Sequence, residues 1–155
     1  MAAGTFLVFD SFMEALGDGT IPDLNTSAIH MGIATNTTVP SKTTADPRWG
    51  AGGTTNFSTN EVTPGENYSA GGPELTVTVT TPWTITGSTA KFDLDDVSIA
   101  SNASNPTTGY WGLIYINDAD DRCIGFTELG GPVDMTAGNF TITWNAGGLF
   151  TINNP

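Results

Sequence analysis

The sequence predicts a mainly β protein: an antiparallel β-sandwich, jelly-roll or immunoglobulin-like, with one short N-terminal α-helix. Three observations predict it. Threonine outnumbers even glycine, and Thr, Val, Ile and the aromatics suit a pleated, half-buried surface. Gly, Pro, Asn and Ser punctuate the chain with turn signals. Short alternating segments recur at intervals of about 8–12 residues, the spacing of sandwiches and barrels. No helix-alternating pattern points to a parallel sheet, and no internal repeat is present.

The elements follow in order. From Phe6 to Leu16, the apolar residues Phe6, Phe9, Met13 and Leu16 recur at spacings of three and four, with Asp10 and Glu14 opposite. That period predicts a helix over about residues 5–17, stopped by Gly17 or Gly19. Residues 27–35 alternate Ile29, Met31 and Ile33 against Ala28, His30, Gly32 and Ala34. With both faces fairly apolar, this strand is expected inside a sheet. Residues 36–60 read as a long loop broken by Pro40, Pro47, Gly50, Gly52 and Gly53. Trp49 within it is expected to be the exposed tryptophan, the other three falling in strands and hence in the core.

Farther on, the stretch from Glu74 to Pro82 alternates Leu75, Val77 and Val79 with threonines and reads as a strand. Residues 83–87 continue in a new register, and residues 90–100 read as two short strands around Asp95 and Asp96. YWGLIYIN and RCIGFTEL flank the DADD loop and make the clearest hairpin. NFTITWN and GLFTIN read as a final pair joined by Ala146 and Gly147.

A chain of 155 residues is sized for a single domain, residues 1–155, and can bury enough surface to fold without disulfides or metal. Charged residues make up 13%, about half the usual share, and 16 acids against 4 bases give a net charge of −12. Lys42, Arg48, Lys91 and Arg122 are scattered, which argues against nucleic-acid and anionic-membrane surfaces. No apolar run approaches a bilayer span. The first cation is Lys42, so the basic flank of a signal peptide is lacking, and synthesis in the cytosol is expected.

Chemistry-bearing residues are few. The chain has one histidine, His30, and one cysteine, Cys123, in different strands; both read as structural rather than as a nucleophile pair. A zinc site within the chain fails on ligand count, although a symmetric trimer could gather three copies of His30. Asp93 and Asp95, two apart on a strand, would share a face about 6.6–6.8 Å apart, within the range of a glycosidase pair. Asp118, Asp120 and Asp121 crowd a hairpin loop that reads as a solvated turn, with calcium the alternative, although the glycine and distal Glu of an EF-hand loop are missing. No catalytic residue, metal or cofactor is expected.

Three stretches carry a resemblance. The opening FLVFDSFMEALGDGTIPDLNTSAIHMGIAT is a helix followed by a strand. The central ENYSAGGPEL is close to an N/G-Y-x-A-G-G-x-x-L element. At the C-terminus, L-I-Y-x-N-D leads through the acidic loop to I-G-F, A-G-N-F-T-I-T-W and G-L-F-T-I. Together they resemble a family of small structural proteins encoded among the head and tail genes of tailed bacteriophages. The resemblance spans most of the chain apart from residues 36–60, and its motifs are fold motifs that carry over no binding residue.

It implies a virion protein made in the bacterial host, and we expect a capsid decoration or cement protein over the major capsid protein. A homo-oligomer is expected, a trimer before a dimer. The alternative is a tail, collar or fibre-associated component, or a receptor- or glycan-binding module. Phe6, Phe9, Trp49, Tyr68 and Tyr110 are the expected partner contacts, from the N-terminal segment, the long loop and the tyrosines that suit protein interfaces.

Overall fold

The computed structural model describes residues 4–153. Its strands are β1 (Leu7–Val8), β2 (Ile29–Ala34), β3 (Pro47–Arg48), β4 (Thr55–Asn56), β5 (Trp83–Thr86), β6 (Thr89–Phe92), β7 (Val97–Ile99), β8 (Gly109–Ile116), β9 (Cys123–Val133), β10 (Phe140–Ile142) and β11 (Phe150–Asn153). Helix α1 spans Asp10–Gly17, and a 3₁₀ turn spans Phe57–Asn60. The protein is mainly β with one α-helix among the described residues, as the composition predicts. A four-stranded sheet runs β1-β9-β8-β2, a three-stranded sheet β11-β6-β5, and a two-stranded sheet β10-β7, all antiparallel. β3 and β4 form a short parallel pair.

The β8–β9 hairpin is the centre of the four-stranded sheet, and both faces are buried because each is covered. On one face lie Ile29, Met31 and Ile33 with their β8 partners Ile116 and Ile114. Phe6 joins this side and meets Trp144, just beyond β10, edge-on at 6.2 Å. The opposite face carries His30, Gly32, Tyr115, Leu113 and Phe126, and Phe9 packs on Phe126 at 5.0 Å. One hydrophobic core runs from Phe9 to Ile142 through all three antiparallel sheets.

The helix begins later than its periodicity predicts. Leu7 and Val8 pair with Phe126 and Gly125 of β9, so residues 7–9 are extended, and Phe9 is the N-cap. Sheet pairing with a distant strand outweighs local helical period here, a tertiary override of propensity. The stop is where the glycines place it: Gly19 sits at φ +67 and donates to the Leu16 carbonyl, while Thr20 N–H reaches Ala15. These two bonds form a Schellman cap.

Three further expectations are corrected. Residues 36–60 are not one open loop: β3, β4 and the 3₁₀ turn lie within them, with Asn56 Oδ1 capping Ser58 N–H. The alternating stretch 74–82 forms no strand, since the Asp95 carboxylate takes the N–H groups of Thr78 and Val79 in place of a ladder. β10 and β11 do not pair with each other; β10 joins β7 and β11 joins β6. Between them Gly148 lies at φ +82, and a Cβ there would fall 2.4 Å from the Phe92 carbonyl oxygen. Only glycine lets the chain step across at that distance.

Candidate functional site

β2 is an edge strand, not the interior strand expected, yet its edge is closed. The N–H groups of Met31, Ile33 and Thr35 donate to the Pro73 carbonyl, the Tyr68 hydroxyl and the Asn60 carbonyl. The Ile29 and Ile33 carbonyls accept from Leu75 and Val62. An irregular segment, residues 60–76, thus straps the edge without becoming a strand. Edge strands with unmet backbone groups are templates for aggregation, and this strap removes the template.

Buried polar groups fix the strap. Tyr68 is 1% exposed; its hydroxyl accepts from Ile33 N–H at 2.8 Å and donates to Glu61 Oε1 at 2.9 Å. Glu61 Oε1 also accepts Gly71 N–H at 2.6 Å, and Tyr115 donates its hydroxyl proton to the Gly71 carbonyl at 3.0 Å. Burial, reinforced by the neighbouring Glu61 charge, pushes the Tyr68 phenol far above its ordinary value and keeps it a donor. Gly72 lies at φ +76, where a Cβ would fall 1.9 Å from the Met31 carbonyl oxygen. The N-Y-x-A-G-G element therefore does structural work: tyrosine as clip, glycines for close approach.

Trp49 is the second anchor, and its expected exposure is corrected: it is 5% exposed. Its ring lies over Gly32, where a Cβ would fall 2.2 Å from Cη2, and stacks on Tyr115 at 5.3 Å. The missing side chain at Gly32 makes the slot. Arg48 beside it is buried, with Nε on Asp46 Oδ1 at 2.9 Å and Nη1 on the Asp120 carbonyl at 3.1 Å. Trp49 N–H reaches the Asp121 carbonyl at 2.8 Å.

The acidic hairpin turn is therefore tied to the 46–50 segment through its backbone, while residues 117–120 stay exposed, the solvated turn expected from sequence. Within it, Asp118 Oδ1 accepts the N–H groups of Asp120 and Asp121. Among the described residues, no group of three or more His, Cys, Asp or Glu side chains converges as a metal site would require.

The remaining chemical candidates are also engaged in structure. β6 ends at Phe92, so Asp93 and Asp95 no longer share a strand face. Asp93 Oδ2 pairs with Lys91 Nζ at 2.9 Å, and Asp95 binds the Thr78 hydroxyl as well as the two N–H groups. His30 Nδ1 faces the Gly72 carbonyl at 3.2 Å, which places the proton on Nδ1, and Nε2 then accepts from Asn117 Nδ2 at 3.2 Å. Cys123 is fully buried, and that burial pushes its thiol well up despite nearby Arg48.

Of the five expected partner contacts, the structure buries three. Phe9 is 0% exposed, and Trp49 and Tyr68 are nearly so; these three are core residues of the subunit. Phe6 and Tyr110 are half-buried. The structure does not bring the five together on one surface.

Among the described residues, exposed apolar side chains also stand elsewhere, on the three-stranded sheet. Trp83, Phe92 and Phe150 are register partners at its root, where Phe150 meets Phe12 of α1 edge-on at 6.5 Å. Two residues farther along each strand, on the same face, stand Ile85, Ala90 and Ile152 in one row. Ile85 is 72% exposed and Ile152 39%. The apolar face outruns the core that covers its root. Beside the root, Leu16, Ile21, Pro22, Leu24 and Trp83 line a cleft of about 270 Å³. Strand alternation signalled the face, but nothing local signals where its cover stops. No family model, curated protein or solved structure matches the chain.

Proposed function

We propose that this chain is a non-enzymatic structural component of a tailed-phage virion, a decoration protein that grips and stabilises the shell of major capsid protein. One observation carries the reading. The polar groups suited to chemistry are engaged with the chain's own backbone and side chains, while exposed apolar side chains stand on the three-stranded sheet. Such a molecule has adhesion to offer.

The resemblance of its opening, central and C-terminal stretches to phage structural proteins supports the virion setting. The charge of −12 also suits the outside of a shell that holds DNA within. Binding to the assembled shell alone would stabilise it by mass action, and several contacts per oligomer would combine through effective concentration.

The test is co-expression with the major capsid protein, followed by sedimentation of assembled shells. The chain should travel with shells at a fixed stoichiometry and raise the temperature at which they open. Recovery of the chain only in the soluble fraction would overturn the reading.

A second reading, a tail or receptor-binding component, draws on a groove of about 420 Å³ lined by Leu7, Lys42, Trp111, Phe126 and Glu128. There a half-exposed indole could stack on a sugar ring. Copy number in purified particles separates the two, since hundreds mean shell and a few dozen or fewer mean tail.

A further inference from the structure

We infer that His30 is a proton switch: on taking up a proton it reverses the Asn117 side-chain amide at the mouth of the acidic turn. His30 lies on β2 between the strap and the β8–β9 turn and bonds to both. With Nδ1 donating to the Gly72 carbonyl, Nε2 presents a lone pair, and Asn117 Nδ2 donates to it at 3.2 Å. That leaves Asn117 Oδ1 on the far side of its amide, away from the ring.

Protonation removes this fit. An imidazolium carries a hydrogen on each ring nitrogen and accepts nothing. Its Nε2–H then meets the hydrogens of Asn117 Nδ2, two donors at 3.2 Å with no acceptor between them. The bond to Gly72 has no such conflict, because Nδ1 is a donor in both states, and the strap keeps its tie. Asn117 is the partner that can yield. It is exposed, and its backbone N–H is held on the Ala28 carbonyl at 2.9 Å, so the amide can turn without moving the chain. Turned, it offers Oδ1 to the charged ring and its two hydrogens to solvent. An outward acceptor becomes an outward pair of donors.

The elements around the ring bring other titratable groups. The Tyr115 phenol, its ring 5.8 Å from the imidazole, and the Cys123 thiol on β9 are both pushed up by burial and stay protonated. The strap contributes Glu74, the bridge partner of His30. The turn contributes Asp118, Asp120 and Asp121, of which Asp121 feels the His30 charge. Two cations are near the turn: Arg48, engaged by Asp46 and Asp120, and Arg122, just before β9. His30 is the chain's one histidine, so imidazole titration within about pH 5–8 belongs to it alone.

Nuclear magnetic resonance of the isotope-labelled full chain across that range tests the switch. At the alkaline end the ring nitrogens should report the Nδ1–H tautomer, with the Asn117 amide hydrogens close to the ring. As the ring takes its proton, those contacts should be lost, and the Asn117 amide resonances should move with the midpoint of the ring. The Asn105 amide, bonded to the Ala100 carbonyl, should not respond. In His30→Gln the Asn117 response should vanish, which separates it from titration of the neighbouring carboxylates. Asn117→Asp supplies an acceptor suited to the charged ring, and should raise the ring midpoint by about one pH unit. Backbone amide spectra check that each variant is folded.

An Asn117 amide that keeps its contacts to the protonated ring, leaving solvent to accept from Nε2, overturns the inference. So does a neutral ring with its hydrogen on Nε2, an amide response that persists in folded His30→Gln, or a ring midpoint unmoved by Asn117→Asp. None of these results bears on shell binding, so the switch and the proposed function fail separately.

Discussion

The strap over β2 and the three-stranded sheet end up in opposite conditions. The strap draws on Gly65, Gly71 and Gly72, while the strands of the sheet carry Thr84, Thr86, Thr89 and Thr151 and no glycine. The strap has almost no regular structure, yet Tyr68, Glu61 and two glycines lock it onto the neighbouring strand. The three-stranded sheet is fully regular, with a hairpin turned at Gly87, and at its outer end Ile85 and Ile152 are exposed among the described residues. Regularity and anchorage are separate properties. Rigidity in this molecule follows from which backbone groups are satisfied by buried partners, not from how much of a segment is strand.

The largest effect should come from removing an anchor. Trp49→Ala empties the slot over Gly32 and strips the stack on Tyr115, so a loss of about 3–5 kcal/mol is expected in urea unfolding. If Trp49→Ala costs no more than Ile85→Thr, which touches an exposed site, the contrast between the regions fails. Next comes Tyr68→Phe. It leaves Ile33 N–H and Glu61 without the hydroxyl, at a cost of about 1–3 kcal/mol, and hydrogen exchange at Ile33 should accelerate while the β8–β9 amides are unchanged.

The smallest effects are electrostatic. Burial works to raise the Asp95 carboxyl, but the bonds from the Thr78 hydroxyl and from backbone N–H groups outweigh it, and the net direction is down. A carboxyl lowered in the folded state adds stability above its unfolded value near 3.9, and that stability is lost as pH falls through the lower folded value. Asp95→Asn should therefore flatten the acid limb of the stability profile.

Asp121 has the opposite sign. Burial first, then the charges of Asp118 and Asp120, raise it, so its contribution is present below the unfolded value and lost as pH rises through the folded one. Asp121→Asn, which tolerates the positive φ at that position, should slightly raise the melting temperature at neutral pH and leave it unchanged in acid.

Much of the fold was legible because it rests on local alternation. The β8–β9 hairpin, the β5 and β6 strands and the glycine stop of α1 all follow from period and turn chemistry. What escaped depends on distant partners. The extended start before α1 is set by β9, and residues 74–79 lose their ladder to Asp95.

Trp49 read as exposed because its surroundings are polar, but a clue was present. Gly32 interrupts an otherwise apolar strand, and a missing side chain on a sheet face invites a large one from elsewhere. The candidate surface was legible only by half. Residues 83–87 read as a strand from sequence, but which of Trp83 and Ile85 the core covers is not decided by either residue.

Cys123 gives the molecule a built-in clock. Its lone thiol is fully buried across the strand from Tyr115, and that burial holds it protonated. A thiol reagent such as a chromogenic aromatic disulfide can label it only after the protein opens. The labelling rate of the unmodified chain would time those openings without any added probe, and any binder that slows opening would lengthen the interval.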